Sequence, residues 1–597
     1  MILESIKRVE DLRKLRSDEL KLLASEIREK IIDVVGNNGG HLSSNLGVVE
    51  LTIALLRVWD PFEDYIIWDV GHQCYPFKIL TGRGDKFHTI RKRGGLSGFP
   101  NPKESPADKF VVGHSGTSLS WALGLALAGK GEVVAIIGDG SLMSGMALEA
   151  LNHIGMLKKK VVIILNDNEM AIGPRVGAIA SHLARLRLRP SWLSLKKRVR
   201  SFLRFLPFGK EVENLLEDMK ERLRKFLIKS TIFEELGLIH WGPIDGHNID
   251  LMERVFESAK EINKPVVIHV ITKKGKGYPP AERDPETFHG TPPFRVSGRE
   301  RKGEPYSLIF GKAVLELASK DERIVCLTAA MKKGTGLDEF AKRFPSRFID
   351  VGIAEQHMLG LAAGLARGGL KPIVAIYSTF LQRAYDQLIH DIALQELPVV
   401  LAVDRGGIVG DDGPTHHGVF DLVFLRCVPN LIIACPRDGA SLRDMLNTAV
   451  TLDRPVIIRY PRGCTESLPD WDSPPKLLEI GKSHLLRDGD GGVAFCLGPT
   501  CDFALRLSNF RVIDLAFAKP LDVEVIVENA KNFDKIYVFE EGAKIGGVGE
   551  EIGSILLSYG IQPRDFRIFA IPDRFIEHGD RKELLEELFA LEERENR

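Results

Sequence analysis

Residues Val133–Met170 read VVAIIGDGSLMSGMALEALNHIGMLKKKVVIILNDNEM. The apolar run VVAII ends in Gly138-Asp139-Gly140, a stretch with apolar residues at three- and four-residue spacing follows, and a second apolar run ends in Asn166-Asp167-Asn168. Strand, helix and strand form the parallel α/β unit, whose ligands gather at the carboxyl ends of the strands. Asp139, Asn168 and the Met170 carbonyl are therefore expected at one sheet edge, an oxygen set that suits Mg²⁺. Because Mg²⁺ is usually shared between one or two protein groups and phosphate oxygens, a diphosphate would complete the shell. Gly-Asp-Gly alone is a common tight turn, but a turn needs no partner strand ending in Asn-Asp-Asn about thirty residues later.

Working outward, Leu12–Val35 reads as helices leading into a loop at His41, and strand-helix alternation continues to HVITKKGKG. Ser181–Lys210 interrupts it with many Arg and Lys, no acid, and interleaved Leu, Phe and Trp, and Glu211–Lys229 follows as a charged amphipathic helix. This insertion, about 181–230, reads as a flap over the site, with a basic partner- or membrane-binding helix as the other reading. Pro279–Pro305 is rich in Pro, Gly and charge and reads as a linker. A second alternating region begins near Tyr306 and runs through YPRG, and the proline-rich passage Leu468–Lys476 precedes a smaller sheet with strands in VAFCLG, FRVIDLA and KIYVFEE. The domains expected are 1–295, 306–467 and 468–597, with 296–305 as the connection and each domain a mainly parallel α/β sheet flanked by helices.

At 597 residues the chain exceeds one hydrophobic core. Lys plus Arg and Asp plus Glu are equal at 81 each, so no global field draws it to nucleic acid or to an anionic membrane. The start MILESIKRVEDLRKL lacks the apolar core of a signal peptide, and no apolar run approaches a membrane span, so a cytoplasmic protein is expected. Seven cysteines without a Cys-x-x-Cys pair argue against a disulfide framework and a zinc site. Gly546-Gly547-Val548-Gly549 lacks the spacing of a dinucleotide loop.

Glu355, in DVGIAEQH, opens a helix whose face Met358, Leu359, Leu361 and Leu365 is apolar. Together with the Gly-Asp-Gly…Asn segment it resembles thiamine-diphosphate enzymes. Pro61–Lys78 (PFEDYIIWDVGHQCYPFK), Gly113–Ser118 (GHSGTS), Tyr377–Gln387 (YSTFLQRAYDQ), Asp404–Gly418 (DRGGIVGDDGPTHHG) and Tyr460–Gly463 (YPRG) resemble the 1-deoxy-D-xylulose-5-phosphate synthase family, transketolase-like, over nearly the whole chain. The resemblance implies two thiamine-diphosphate-binding domains and a transketolase-like C-terminal domain that supports a homodimer. It also implies decarboxylative joining of pyruvate to D-glyceraldehyde 3-phosphate through the cofactor ylid, the first step of non-mevalonate isoprenoid synthesis.

The resemblance assigns roles residue by residue. Asp139, Asn168 and Met170 would hold Mg²⁺; Gly113, His114, Ser115, Gly140 and Lys274 would bind the diphosphate; Glu355 would hydrogen-bond the aminopyrimidine and Phe380 stack on it. His41 and His72 would contact aldehyde and cofactor, and His416 would move protons or position pyruvate. Tyr377, Asp412 and His289 complete the substrate side. Arg405 and Arg462 follow apolar strands and form the expected phosphate clamp, since the guanidinium fork matches phosphate, with Arg383 a third candidate. The competing functions are transketolase-type ketol transfer and a thiamine-diphosphate sensor without chemistry.

Overall fold

The computed structural model describes residues 2–129, 131–170, 177–187, 231–295 and 302–590. Contacts divide the chain into one unit of residues 1–91 and 95–297 and another of 92–94 and 298–597.

In the first unit five parallel strands lie in the order Tyr65–Trp68, Val133–Gly138, Val162–Asp167, Val266–Ile271, Ile239–Asp245. Their near-continuous apolar sequences follow from burial on both faces. Val134 and Ile136 pack with the helices Ser17–Asn38, Val49–Val58 and Ile249–Lys260, whereas Val133, Ala135 and Ile137 pack with Ser118–Ala128 and Gly145–Leu157. That two-residue alternation sends successive side chains to opposite layers. The strand ends, and hence Asp139 and Asn168, are left at one edge.

The second unit carries two sheets. One has seven strands in the order Phe517–Lys519, Ile432–Ala434, Val456–Arg459, Val400–Asp404, Lys371–Tyr377, Ile324–Thr328, Phe348–Asp350. All its pairs are parallel except the first, so a strand from the C-terminal part completes this sheet. The other sheet has five strands, with the expected Gly492–Cys496, Phe510–Asp514 and Lys535–Ala543 at its centre. A single apolar core containing Leu401, Ile433, Phe495 and Val538 runs through both.

Two expectations are corrected. Pro279–Pro305 is not linker throughout: Pro279–Arg283 is helical, Ala281 is fully buried, and Thr291 bridges to Gly40. Tyr278, Phe288 and Phe294 pack as a ring cluster that holds this passage on the first unit. The cysteine argument also fails at one pair, because Cys496 and Cys501 are bonded, with Cα atoms 5.0 Å apart. The strand that ends at Cys496 turns at once into the helix Cys501–Ala504 and brings the two together. Cys74 packs as a small apolar group, and burial pushes its thiol up to about 12.

The Gly546–Gly549 segment has its own explanation. Buried Glu540 accepts hydrogen bonds from Val548 N at 2.9 Å and Gly549 N at 2.8 Å, so a carboxylate of the chain occupies the start of the Val548–Ser558 helix, where a nucleotide phosphate would bind. Of the insertion at 181–230, the helix Ala178–Arg187 covers the first residues, with Leu183 and Leu186 buried, and the flap reading falls on residues outside the described set.

Candidate active site

In the first unit the strand ends deliver a set of buried polar groups. Asp139 is fully buried as the first residue of the short helix after the Val133–Gly138 strand, and register pairs Gly138 with Asn166, which leads into Asn168. Asn168 Oδ1 accepts from Met170 N at 3.3 Å, which curls the loop so that amide and carbonyl oxygens lie on one short turn. The turn is fixed from behind. Asp167 Oδ1 accepts from Glu169 N at 3.2 Å, its Oδ2 pairs with His269 Nε2 at 2.7 Å, and both side chains are fully buried. Lys274, after the Val266–Ile271 strand, is 7% exposed, and burial lowers its ammonium to about 8 while the negative charges of Asp139 and Glu286 pull it back up.

The Gly113–Ser118 loop is shaped by Asp69, a residue that the sequence motifs did not single out. This buried carboxylate accepts from Gly116 N at 2.9 and 3.0 Å and from Ser118 N at 3.1 Å, which sets the bend that carries Gly113, His114 and Ser115. Asp69 follows the apolar strand Tyr65–Trp68, the same strand-end signal that marked Asp139.

Three predicted histidines meet. The ring centroids of His41 and His72 are 5.5 Å apart, those of His41 and His289 5.6 Å, and those of His72 and His289 4.9 Å. The hydroxyl of Ser44, which no sequence motif marked, lies 3.1 Å from His72 Nε2 and 3.4 Å from His289 Nδ1. Burial, followed by the positive field of Lys274 and the other two rings, holds His289 well below the usual imidazole range. The protonated ring is therefore disfavoured, and His289 enters the site as a neutral hydrogen-bonding group.

The second unit groups the rest. Glu355 starts the helix Glu355–Arg367 and is 3% exposed. Its Oε2 has no hydrogen-bond partner among the described residues. Burial raises its pKa, and Arg383 pulls it back down. Tyr377 and Phe380 stack at 5.8 Å, and His416 meets the Phe380 edge at 5.8 Å with its Nδ1 2.9 Å from Thr415 Oγ1. The Arg405 guanidinium lies 3.6 Å from the Tyr377 ring centre and is bound to Asp404 at 2.5 Å and to the Gly334 carbonyl at 3.0 Å. Arg462 is the more open of the clamp pair, 3.5 Å from Asp412 and with its side chain 39% exposed. The third candidate, Arg383, acts on Glu355 through its charge.

The groups of the first unit fit a divalent cation and a diphosphate, and those of the second a nitrogen heterocycle. In the first unit a buried carboxylate, an amide and a carbonyl at adjacent strand ends are the oxygen donors Mg²⁺ takes, and in the second an orphaned buried carboxyl oxygen calls for a hydrogen-bonding ligand. Similarity to known proteins decides the family. Profiles described as 1-deoxy-D-xylulose-5-phosphate synthase, transketolase pyrimidine binding domain and transketolase C-terminal domain match residues 3–272, 304–466 and 496–594. The 1-deoxy-D-xylulose-5-phosphate synthase of Natranaerobius thermophilus is 47% identical over 98% of this chain and 95% of its own. The chain belongs to the 1-deoxy-D-xylulose-5-phosphate synthase family. Synthases from Carboxydothermus hydrogenoformans (49% identical, covering 98% of this chain and 96% of their own) and Aquifex aeolicus (46%, covering 99% and 96%) agree along the same length. Membership makes the chain a thiamine-diphosphate-dependent transferase of transketolase-like architecture.

Proposed function

We propose that this synthase condenses pyruvate with D-glyceraldehyde 3-phosphate, releasing carbon dioxide and forming 1-deoxy-D-xylulose 5-phosphate for isoprenoid synthesis, with the groups described above in the following roles. Asp139, Asn168 and the Met170 carbonyl hold Mg²⁺, while Gly113, His114, Ser115, Gly140 and Lys274 bind the diphosphate. When bound, thiamine diphosphate supplies a nucleophilic carbon and an electron sink for decarboxylation. Glu355 presents its buried carboxyl to the pyrimidine nitrogen, burial favouring the protonated form that shares a hydrogen with that ring, and Phe380 covers the ring face. His41, His72 and His416 exchange protons with substrate oxygens, and neutral His289 contacts the substrate through hydrogen bonds. Arg405 and Arg462 grip the triose phosphate, Arg383 being a further cation near Glu355, with Tyr377 and Asp412 orienting the substrate.

The observation that carries the reading is the buried, unbonded Oε2 of Glu355 at a helix start. Buried carboxyl oxygens are usually hydrogen-bonded, and a ring nitrogen of the cofactor would supply the partner here. Transketolase-type transfer would use a ketose donor. Incubation with pyruvate and D-glyceraldehyde 3-phosphate tests the difference by carbon dioxide release and triose consumption, and a protein that releases no carbon dioxide yet turns over a ketose donor refutes the assignment. The proposed division is 1–295, 306–467 and 468–597, joined by 296–305, and the proposed state is a cytoplasmic homodimer, to be checked by sedimentation. Among the described residues no helix is long and apolar enough to cross a membrane.

A further inference from the structure

The loop Arg405–Gly418 carries Asp412 and His416, and its neck is closed by reciprocal hydrogen bonds of 2.7 Å between the backbones of Gly407 and Gly418. Inside that neck Ile408 is fully buried, and both of its backbone groups are taken by the C-terminal part. Ile408 N donates to Glu541 Oε1 at 2.7 Å, and its carbonyl accepts from Arg581 Nε at 2.8 Å. Arg581 Nη2 in turn spans both Glu541 oxygens at 2.8 Å, so carboxylate, guanidinium and one peptide unit form a closed ring of hydrogen bonds.

The fit allows little play. Gly407 has φ +84°, and a Cβ there would stand 2.4 Å from the Glu541 carboxyl carbon. Arg459 Nη2 ties the Glu541 carbonyl at 2.7 Å to the Gly418 carbonyl at 3.1 Å. Further along, Val409 N donates to His417 Nδ1 at 2.9 Å and the Val409 carbonyl accepts from Arg462 at 3.3 Å, which passes the constraint to a predicted phosphate ligand. His417 is buried and lowered to about 4, so it stays neutral and keeps that acceptor.

We propose that Glu541 and Arg581, in the C-terminal domain, are positioning residues that set the stance of Asp412, His416 and Arg462 toward the phosphorylated aldehyde. The inference rests on the substrate-binding reading of this loop. The C-terminal domain thus takes part in substrate recognition.

The test uses the full-length chain with thiamine diphosphate and Mg²⁺. Arg581→Met removes the guanidinium, and because it leaves Glu541 charged and buried, the double variant Glu541→Gln/Arg581→Met is read alongside it in case the single one folds poorly. Hydrogen exchange at Ile408, Val409 and Gly418 is expected to quicken about tenfold or more, with the strands Val400–Asp404 and Val456–Arg459 unchanged. The KM for D-glyceraldehyde 3-phosphate rises about tenfold, kcat falls by less, and affinity for thiamine diphosphate stays within about threefold, a split that general destabilisation would not produce. Unchanged exchange in the loop overturns the positioning role. Faster exchange with an unchanged KM shows that the loop does not meet the aldehyde, which overturns the reading beneath the inference.

Discussion

Replacing Glu355 by Gln should make the protein more stable and nearly inactive. The carboxyl is 3% exposed with one oxygen unbonded, and its pKa is raised because burial outweighs both Arg383 and the favourable helix start. An acid whose folded pKa lies above its unfolded one imposes no penalty below the unfolded value, about 4.3, and the full penalty above the folded value. Stability from this group is therefore complete in acid and lost as pH rises through the folded pKa. A tenfold change in its acid constant on folding corresponds to about 1.4 kcal/mol. The neutral amide escapes the charge-burial penalty while its own polar atoms stay buried, so it should gain on the order of 1–2 kcal/mol at pH 8. For a unit of roughly 300 residues that is a rise of about 2–3 °C in Tm, vanishing near pH 4. Turnover should fall about 10²- to 10⁴-fold with the loss of proton transfer, while calorimetry shows cofactor binding within about tenfold of the parent. Scanning calorimetry of the cofactor-free protein at pH 4 and pH 8 decides. An amide variant that melts at or below the parent at pH 8, or that gains equally at both pH values, would refute the reasoning.

Asp139→Asn should weaken Mg²⁺ binding by about 100-fold, read by Mn²⁺ paramagnetic resonance in the presence of thiamine diphosphate, and excess Mg²⁺ should restore part of the activity; equal affinity removes Asp139 from the ligand set. His269→Leu leaves buried Asp167 without its imidazole and should cost about 3 kcal/mol in urea unfolding and about 10- to 100-fold in metal affinity. Loss of stability with unchanged metal affinity would confine His269 to a structural role. Because His289 is held well below 6.5 by burial and by Lys274, its ring resonances in NMR should stay flat between pH 6 and 8; a transition near 6.5 would show an ordinary solvated imidazole.

Much of the site is legible because it follows local pattern. An apolar run that stops at Gly-Asp-Gly is a strand end, and parallel strands end together, so the amino-acid order alone places Asp139 and Asn168 at one edge. The start of the Glu355 helix is legible for the same reason, from the three- and four-residue spacing behind it. Ser44, which bridges two histidines, His269, which backs the Asp167–Met170 turn, and the Glu541–Arg581 pair are not legible, since each acts through a partner far along the chain and no periodicity marks such a pairing.

The same pattern, an apolar run that stops at an acid, recurs beyond the Asp139 turn. It marks Asp69, Asp404 and Asp514 as surely as Asp139, and it marks Glu540, although the strand Lys535–Ala543 runs on past that residue; all five are buried. They differ in what surrounds the carboxylate. Backbone amides fill Asp69 and Glu540, so one shapes a loop and the other seals a helix start. A neighbouring guanidinium neutralises Asp404, and Asp514 caps Ala516 N with its pKa raised to about 7 by burial. Asp139 lies instead in the field of Lys274, a buried cation that follows the end of another strand of the same sheet. Position on the sheet selects the candidates, and the partner separates the proposed metal ligand from the carboxylates that serve the fold; the first is written in the local sequence and the second only in the fold.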